Sequence, residues 1–223
     1  MLHKTRGIVF RFTKYGETSI IVSIFTELFG LQSYMVNGVR SKSPRTNIAL
    51  YQPLTLLDLV VYHRENANIL RIKEVRCAHQ YVSLSTDIKK STQALFLNEM
   101  INKAVKEQSH AVEICSFLFD SFEVLDRLPG NCENFHLVFL IKLSRFLGFG
   151  PHHPHELLTG FSLDAKDELV LQQLLQADYA EVIPMTYLQR KNLLDLLLRF
   201  YNSHIENLGE MRSVQVLREV LGS

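Results

Sequence analysis

The 223-residue chain carries 24 Lys and Arg against 23 Asp and Glu, a formal net charge of +1, and 47% of its residues are apolar. This composition supplies a sizeable core and excludes an intrinsically disordered chain. The longest nearly unbroken apolar run, Leu137–Ile141, is much shorter than the ~20 residues that a membrane-spanning helix needs. Three widely spaced cysteines, Cys77, Cys115 and Cys132, favour reduced thiols in the cytoplasm over a disulfide framework.

The two parts of the chain differ in charge. Residues 1–80 contain eleven basic and five acidic side chains, a formal charge of +6, whereas residues 81–223 contain 13 and 18, a charge of −5. Such asymmetry points to a polyanionic partner for the first part, although ordinary solvated surface explains it equally well.

Residues 1–80 are predicted to form five short strands. In the first of them Ile8, Phe10 and Phe12 alternate with the residues between them, and turn residues separate each run from the next. The five runs are GIVFRFTKYG, TSIIVSIFT, LQSYMVNG, PLTLLDLVVYH and NILRIKEVR. Five strands in so short a segment favour a closed barrel, since closure removes exposed edges. A small basic barrel of this kind is often an OB-fold, which binds single strands.

The apolar period becomes helical after residue 80. We expect helices in STDIKKSTQALFLNEMINKAVKEQ, HAVEICSFLFDSFEVLDRL, NFHLVFLIKLSRFLGFGP, Asp164–Leu175, TYLQRKNLLDLLLRFYNSHI and SVQVLREVL. The third is apolar on nearly all sides, which predicts a buried central helix that ends at Gly148. The fold class is therefore α+β, with an N-terminal five-stranded OB-fold barrel over residues 1–80 and an all-α helical bundle over residues 81–223.

Several short motifs in order carry a resemblance to a known family. They are Tyr15-Gly16-Glu17-Thr18, Thr26 with Gly30-Leu31, Gly38-Val39-Arg40, LYQPLTLLDLVVY, Leu147–Gly150 and the closing LLRFY…MRSVQVLREVL. On these motifs the sequence resembles the bacterial recombination mediator family RecO along almost its whole length. The resemblance implies DNA repair by homologous recombination, and it implies RecR, the single-stranded DNA-binding protein and, indirectly, RecA as partners. It also implies a cytoplasmic, nucleoid-associated protein.

One departure from the family concerns zinc. Many members carry a four-cysteine zinc site just after the Leu-Gly-Phe-Gly signature, but this chain has no cysteine after Cys132. The segment GPHHPHE stands there instead, with His152, His153, His155 and Glu156 as conceivable ligands. Their spacing matches no standard tetrahedral set. We therefore expect no metal and no cofactor, with a metal-dependent hydrolase as a less favoured alternative.

The segment VNGVRSKSPR places three cations on a predicted loop after the third strand, where side chains can follow a phosphate backbone. Further cations lie on or beside the first strand, and Tyr34 offers a ring for base stacking, although a strand tyrosine is more often a core residue. The candidate DNA-binding residues are Arg6, Arg11, Lys14, Tyr34, Arg40, Lys42 and Arg45.

The helical part is too acidic to be a good DNA surface. Lys142 and Arg145 share one face of the central helix, and with exposed parts of Leu143 and Phe146 they are candidates to hold an acidic peptide tail. The resemblance implies such a tail, that of the single-stranded DNA-binding protein. The favoured interpretation of Leu143 and of Phe146 taken singly is nevertheless that each is a core residue.

No Walker loop, G-x-S-x-G or H-E-x-x-H motif is present, so the sequence does not indicate an enzyme. A protein-interaction adaptor without DNA affinity remains a rival.

Overall fold

The structure, a computed structural model, describes residues 1–41, 47–65, 67–106, 110–158 and 163–222. The chain forms two compact units. The first consists of Met1–Tyr81 with Val105–Glu123, and the second of Val82–Ala104 with Val124–Ser223. A segment of the acidic, helical part of the chain therefore belongs to the same unit as the basic barrel.

Five strands form the closed barrel of the first unit. They are β1 (Leu2–Tyr15), β2 (Ser19–Thr26), β3 (Gly30–Val36), β4 (Leu56–Tyr62) and β5 (Leu70–Cys77), with a 3₁₀ turn at Ile48–Tyr51. The order around the barrel is β1-β2-β3-β5-β4, and every pair is antiparallel except β3 with β5. The predicted OB-fold barrel is confirmed.

Strand β1 carries buried side chains on both its inner and its outer face. Val9 lies in the interior cluster with residues such as Val22 and Leu57, whereas Ile8 and Phe10 are equally buried but point outwards. A register shift between Val9 and Arg11 moves Phe12 to the inner face, so Ile8, Phe10 and Phe12 do not share one face. Part of the helix that begins at Ala111 belongs to this unit, and its Ser116 and Phe119 contact Arg6 on β1.

Seven helices are found in the described part of the chain. They are α1 (Ile88–Ala104), α2 (Ala111–Arg127), α3 (Phe135–Phe146), α4 (Pro154–Leu157), α5 (Ala165–Gln176), α6 (Tyr187–His204) and α7 (Ser213–Gly222). The short α4 lies in the segment that the sequence left without structure, and residues 107 and 108, predicted as the end of the first helix, lie outside the described residues. None of the described helices is long and apolar enough to cross a bilayer.

Helix α3 is the centre of the second unit, as predicted. It is buried almost continuously from Phe135 to Ser144, and the hydroxyl of Tyr201 donates to the carbonyl of Leu140 at 2.6 Å. The helix ends where Gly148 adopts a φ of +85° and its N–H donates to the carbonyl of Arg145. This left-handed position is the one that glycine adopts without strain, which accounts for the first glycine of the signature.

Candidate nucleic-acid interface

Arg40 ties the loop after β3 to the turn between β1 and β2. Its Nη2 donates to the carbonyls of Gly16 and Glu17 at 2.6 and 2.7 Å, and its backbone N–H donates to the carbonyl of Thr18 at 2.9 Å. Two glycines, Gly16 and Gly38, have positive φ angles and allow the turn and the loop to bend towards each other. The guanidinium therefore holds the turn Gly16–Thr18 in place.

The end of β1 presents free cations beside this turn. Arg11 and Lys14 are exposed, and within the described residues neither forms an ion pair. Tyr15 follows them with 51% of its surface exposed, at the first position of the turn. A basic edge with an exposed aromatic ring can hold a phosphate backbone and stack a base. Sequence reasoning missed Tyr15, although its place at the mouth of a turn was a visible signal.

Arg6 was a predicted DNA contact but is engaged inside the first unit. Its Nη2 donates to Glu27 Oε1 at 2.7 Å and to Ser116 Oγ at 3.4 Å, and its guanidinium lies 5.1 Å from the ring centre of Phe119. The hydrogen bond to Glu27 raises the pKa of Arg6 above its ordinary value, against the opposing effect of burial. Arg6 therefore joins β1 to α2, and its role as a DNA contact stays a prediction.

Tyr34 is removed from the candidate interface. Its side chain has no exposed surface and lies in the interior cluster of the barrel, so no base can reach the ring. Stacking at this position is corrected to core packing. Lys42 and Arg45, the remaining predicted contacts, lie outside the described residues.

The candidate tail-binding residues on α3 are mostly engaged too. Lys142 Nζ lies 2.9 Å from Asp178 Oδ1 and 5.1 Å from the ring centre of Tyr179, and Arg145 Nη2 donates to the carbonyl of Leu175 at 2.5 Å. Leu143 has no exposed surface, so its predicted role in a peptide pocket is corrected to core packing.

Phe146, by contrast, keeps 39% of its surface exposed. Of the four predicted tail-binding residues, it is the one whose side chain is both apolar and accessible.

The histidine-rich segment shows local contacts. The backbone N–H of His152 donates to Glu156 Oε2 at 3.2 Å, and the rings of His153 and His155 stack with their centres 5.5 Å apart. Among the described residues, no group of three or more His, Cys, Asp or Glu side chains is arranged to hold a metal ion.

Comparisons with known proteins agree with this architecture. The model of the recombination protein O N-terminal domain matches residues 1–81, and that of its C-terminal domain matches residues 85–210. The chain belongs to the recombination protein O family. This membership supports a role in DNA repair and recombination, and the prediction from the sequence motifs is confirmed.

Curated relatives match the chain from end to end. The DNA repair protein RecO of Christiangramia forsetii is 32% identical over 240 residues, covering 100% of both chains. Its counterpart in Bacteroides fragilis is 32% identical over 240 residues and covers 99% of both. That of Flavobacterium psychrophilum is 31% identical over 234 residues, covering 97% of this chain and 98% of the relative.

Proposed function

We propose that this protein is a recombination mediator that binds single- and double-stranded DNA through residues 1–80 and anneals complementary strands. The observation that carries the proposal is the exposed edge of Arg11, Lys14 and Tyr15 beside the fixed β1–β2 turn, on a chain of the recombination protein O family. Its cations attract phosphates of any sequence, and phosphate contacts carry no base specificity.

Annealing needs no nucleotide in this proposal. Cations on the barrel neutralise phosphates and so lower the repulsion between two strands, while base pairing supplies the sequence specificity. The protein then helps RecR to load RecA onto DNA that is coated by the single-stranded DNA-binding protein. It acts without catalysing a reaction of its own, at the nucleoid in the cytoplasm.

Residues 81–223 are proposed to bind the acidic C-terminal tail of the single-stranded DNA-binding protein. Because Leu143 is buried, the apolar contact falls to Phe146, and Lys142 must exchange Asp178 for a carboxylate of the tail. Asp178 is itself largely exposed, so this exchange costs little. The tail contact would raise the effective concentration of the barrel at coated DNA.

The first experiment is a salt titration of DNA binding to the whole chain. Log K is expected to fall with log salt at about −0.7 to −0.9 per neutralised phosphate. The variant Arg11→Gln with Lys14→Gln should weaken binding to all sequences alike and reduce the slope by about 1.4 to 1.8. The matched control, Lys166→Gln with Arg212→Gln, removes the same charge from the helical unit and should leave both quantities unchanged.

The second experiment measures annealing of complementary strands that carry the single-stranded DNA-binding protein, without ATP. The proposal expects faster duplex formation at low salt, and a protein lacking the acidic tail should remove part of the acceleration. DNA binding without acceleration would reject the annealing role. Binding of the tail peptide without any DNA binding would establish the adaptor alternative instead.

The metal alternative is tested by elemental analysis and by activity in a chelator. Stoichiometric zinc after dialysis, or a hydrolytic activity that a chelator removes, would contradict the proposal and direct attention to the segment His152–Glu156.

A further inference from the structure

We propose that the outer face of β4 and β5 is a second nucleic-acid surface, which holds a second strand while the β1–β2 edge holds the first. This inference rests on the proposed function and assigns DNA contacts to residues outside the family motifs and outside the predicted basic loop after the third strand: Lys4, Tyr62, Arg71 and Arg76.

The strand register brings these side chains together. On β4, Leu57, Leu59 and Val61 point into the barrel, which turns Asp58 and Tyr62 outwards. The Cα atom of Tyr62 pairs with that of Arg71 on β5, and Asp58 pairs with Arg76. Residues directly opposite in neighbouring strands have Cβ atoms about 4.5–5.5 Å apart, so each outward pair forms one continuous contact area.

Lys4 extends this area onto the neighbouring strand. It lies opposite Val60, across the β1–β4 pair, and its side chain is exposed. A groove of about 530 Å³ lies here, lined among others by Lys4, Val60 and Arg76, by the ion-paired Arg6, and by the acids Glu27, Asp58 and Glu74. Its mixed apolar floor and charged walls are the chemistry that a sugar-phosphate chain with attached bases requires.

Ion pairs occupy some of the cations on this face and leave the others available to bind phosphates. Lys73 is bound to Glu74 at 3.7 Å and Arg6 to Glu27 at 2.7 Å, so these two cations are already neutralised. Within the described residues, Lys4, Arg71 and Arg76 form no ion pair, and Asp58 is the one acid on the face that also lacks one. Three cations against one carboxylate leave a net positive face.

Tyr62 supplies the ring that a single strand needs. It keeps 47% of its surface exposed and stands beside Arg71. Stacking of a base on an exposed aromatic ring strengthens binding about tenfold and tolerates any sequence. The combination repeats that of Lys14 with Tyr15 at the first edge: an exposed tyrosine next to an unpaired cation.

The order of the strands separates the two surfaces. In the ring β1-β2-β3-β5-β4, the strands β4 and β5 are the two that do not pair with β2. Strand β1 pairs with β4 through Leu2–Ile8, whereas Lys14 and Tyr15 lie at its other end, ten residues or at most about 33 Å from Lys4 along the strand. One barrel can hold two strands at once, which annealing by a single chain requires.

The test counts strands per protein chain. Native mass spectrometry of the full chain with short oligo-dT, which cannot self-pair, should find two strands per chain at low salt. The variant Arg71→Gln with Arg76→Gln should hold one strand, anneal at least tenfold more slowly and lose about 1.4 from the salt slope. Tyr62→Ala, which keeps all charges, should weaken the second binding event about tenfold.

Two controls accompany these variants. Lys166→Gln with Arg212→Gln should retain two strands, and the thermal midpoint of every variant is compared with that of the wild type to exclude unfolding. Arg11→Gln with Lys14→Gln should also hold one strand, because it removes the other surface.

Several outcomes would overturn the inference. A folded Arg71→Gln, Arg76→Gln variant that still holds two strands, or a wild-type chain that holds only one, would refute it while leaving the proposed function intact. If that variant keeps both strands but loses a poly-glutamate peptide that the wild type binds, the face is a protein-binding surface. No binding of any strand by the wild type would refute the proposed function itself.

Discussion

A cation on a DNA-binding loop can either hold the loop in place or contact a phosphate, and substitutions of Arg40 distinguish these two roles. Its guanidinium donates to the carbonyls of Gly16 and Glu17 at 2.6 and 2.7 Å, so it is already used to hold the β1–β2 turn. If positioning is its role, Arg40→Ala and Arg40→Lys should have similar effects, because an ammonium keeps the charge but lacks the planar fork of the guanidinium. If it contacts a phosphate directly, Arg40→Lys should behave nearly like the wild type.

The magnitude follows from the two side-chain hydrogen bonds. Each is solvent-exposed, so we assign about 0.5–1 kcal/mol to each, and about 1–2 kcal/mol to the pair. Opening of the turn should then become about 5- to 30-fold more frequent in both variants. The global free energy of unfolding should change little, because the turn lies outside the core.

Hydrogen exchange measures the turn directly. The N–H of Arg40 donates to the carbonyl of Thr18, so the amide of residue 40 should lose 5- to 30-fold of its protection in both variants. DNA affinity should fall three- to tenfold with an unchanged salt slope. Lys14→Ala is the control, and it should reduce the slope by about 0.7 to 0.9 without altering exchange at residue 40.

The reasoning fails if Arg40→Lys restores both protection and affinity while Arg40→Ala reduces the salt slope by the amount of one phosphate. That pattern would make Arg40 a phosphate contact, and the hydrogen bonds to the turn would be incidental.

Two further predictions concern the second unit. Glu99 accepts hydrogen bonds from the N–H groups of Arg212 and Ser213 at the start of α7. Partial burial acts to raise the pKa of Glu99, but these hydrogen bonds and nearby Lys103 outweigh it, so the pKa is lowered overall. Its stabilisation is therefore present above the unfolded carboxyl pKa of about 4.3 and is lost as the pH falls through the folded value. Glu99→Gln should lower the thermal midpoint by about 2–4 °C at pH 7, and a difference that persists undiminished at pH 3 would contradict this account. Gly150→Ala should lower the free energy of unfolding by about 2–3 kcal/mol, because a Cβ at this position would meet the backbone of Arg145 at 2.6 and 2.7 Å. The control is Gly130→Ala, which has open space around the added Cβ and should change the denaturation midpoint very little.

The structural features that could be predicted from the sequence are those that depend on patterns among neighbouring residues. Alternation and turn residues gave all five strands, and the all-apolar character of α3 gave the buried centre of the second unit, because both signals are local. The burial of Ile8 and Phe10 on the outside of the barrel was not visible, since alternation within one strand does not show which outward side chains other elements cover. The contacts of Arg6 were not visible from the sequence either, because Ser116, one of its partners, is 110 positions away.

Tyr34 was different, because its burial could have been deduced. It has the same phase as Val36 on β3, and residues two apart in a strand share a face. The same alternation places Tyr62 on the face opposite to Val61, which is the signal that identifies the second surface. Alternation cannot reveal which exposed cations remain unpaired, because that depends on carboxylates from other strands, such as Glu27 beside Arg6.

The hydroxyl of Tyr34 provides a last test of its corrected role. It is buried in the barrel core near the Thr26 side chain, but among the described residues no hydrogen bond of normal geometry reaches it. A buried hydroxyl without a partner costs about 1–3 kcal/mol relative to water, while the ring itself fills the core. Tyr34→Phe keeps the ring and removes the unsatisfied group, so the variant should be as stable as the wild type or more stable by about 0.5–2 kcal/mol.

Denaturant unfolding measures this difference, with Tyr34→Ala as the comparison, for which the lost ring should cost about 3–5 kcal/mol. DNA affinity of Tyr34→Phe should equal that of the wild type, which by itself cannot separate stacking from packing because phenylalanine also stacks. The decisive measurement is ring accessibility: fluorescence of the tyrosines should lose the contribution of Tyr15 or Tyr62, and not that of Tyr34, when DNA binds. A loss of tyrosine emission on DNA binding that disappears in Tyr34→Phe, but persists in Tyr15→Phe and Tyr62→Phe, would return Tyr34 to the interface and refute the assignment of both exposed tyrosines.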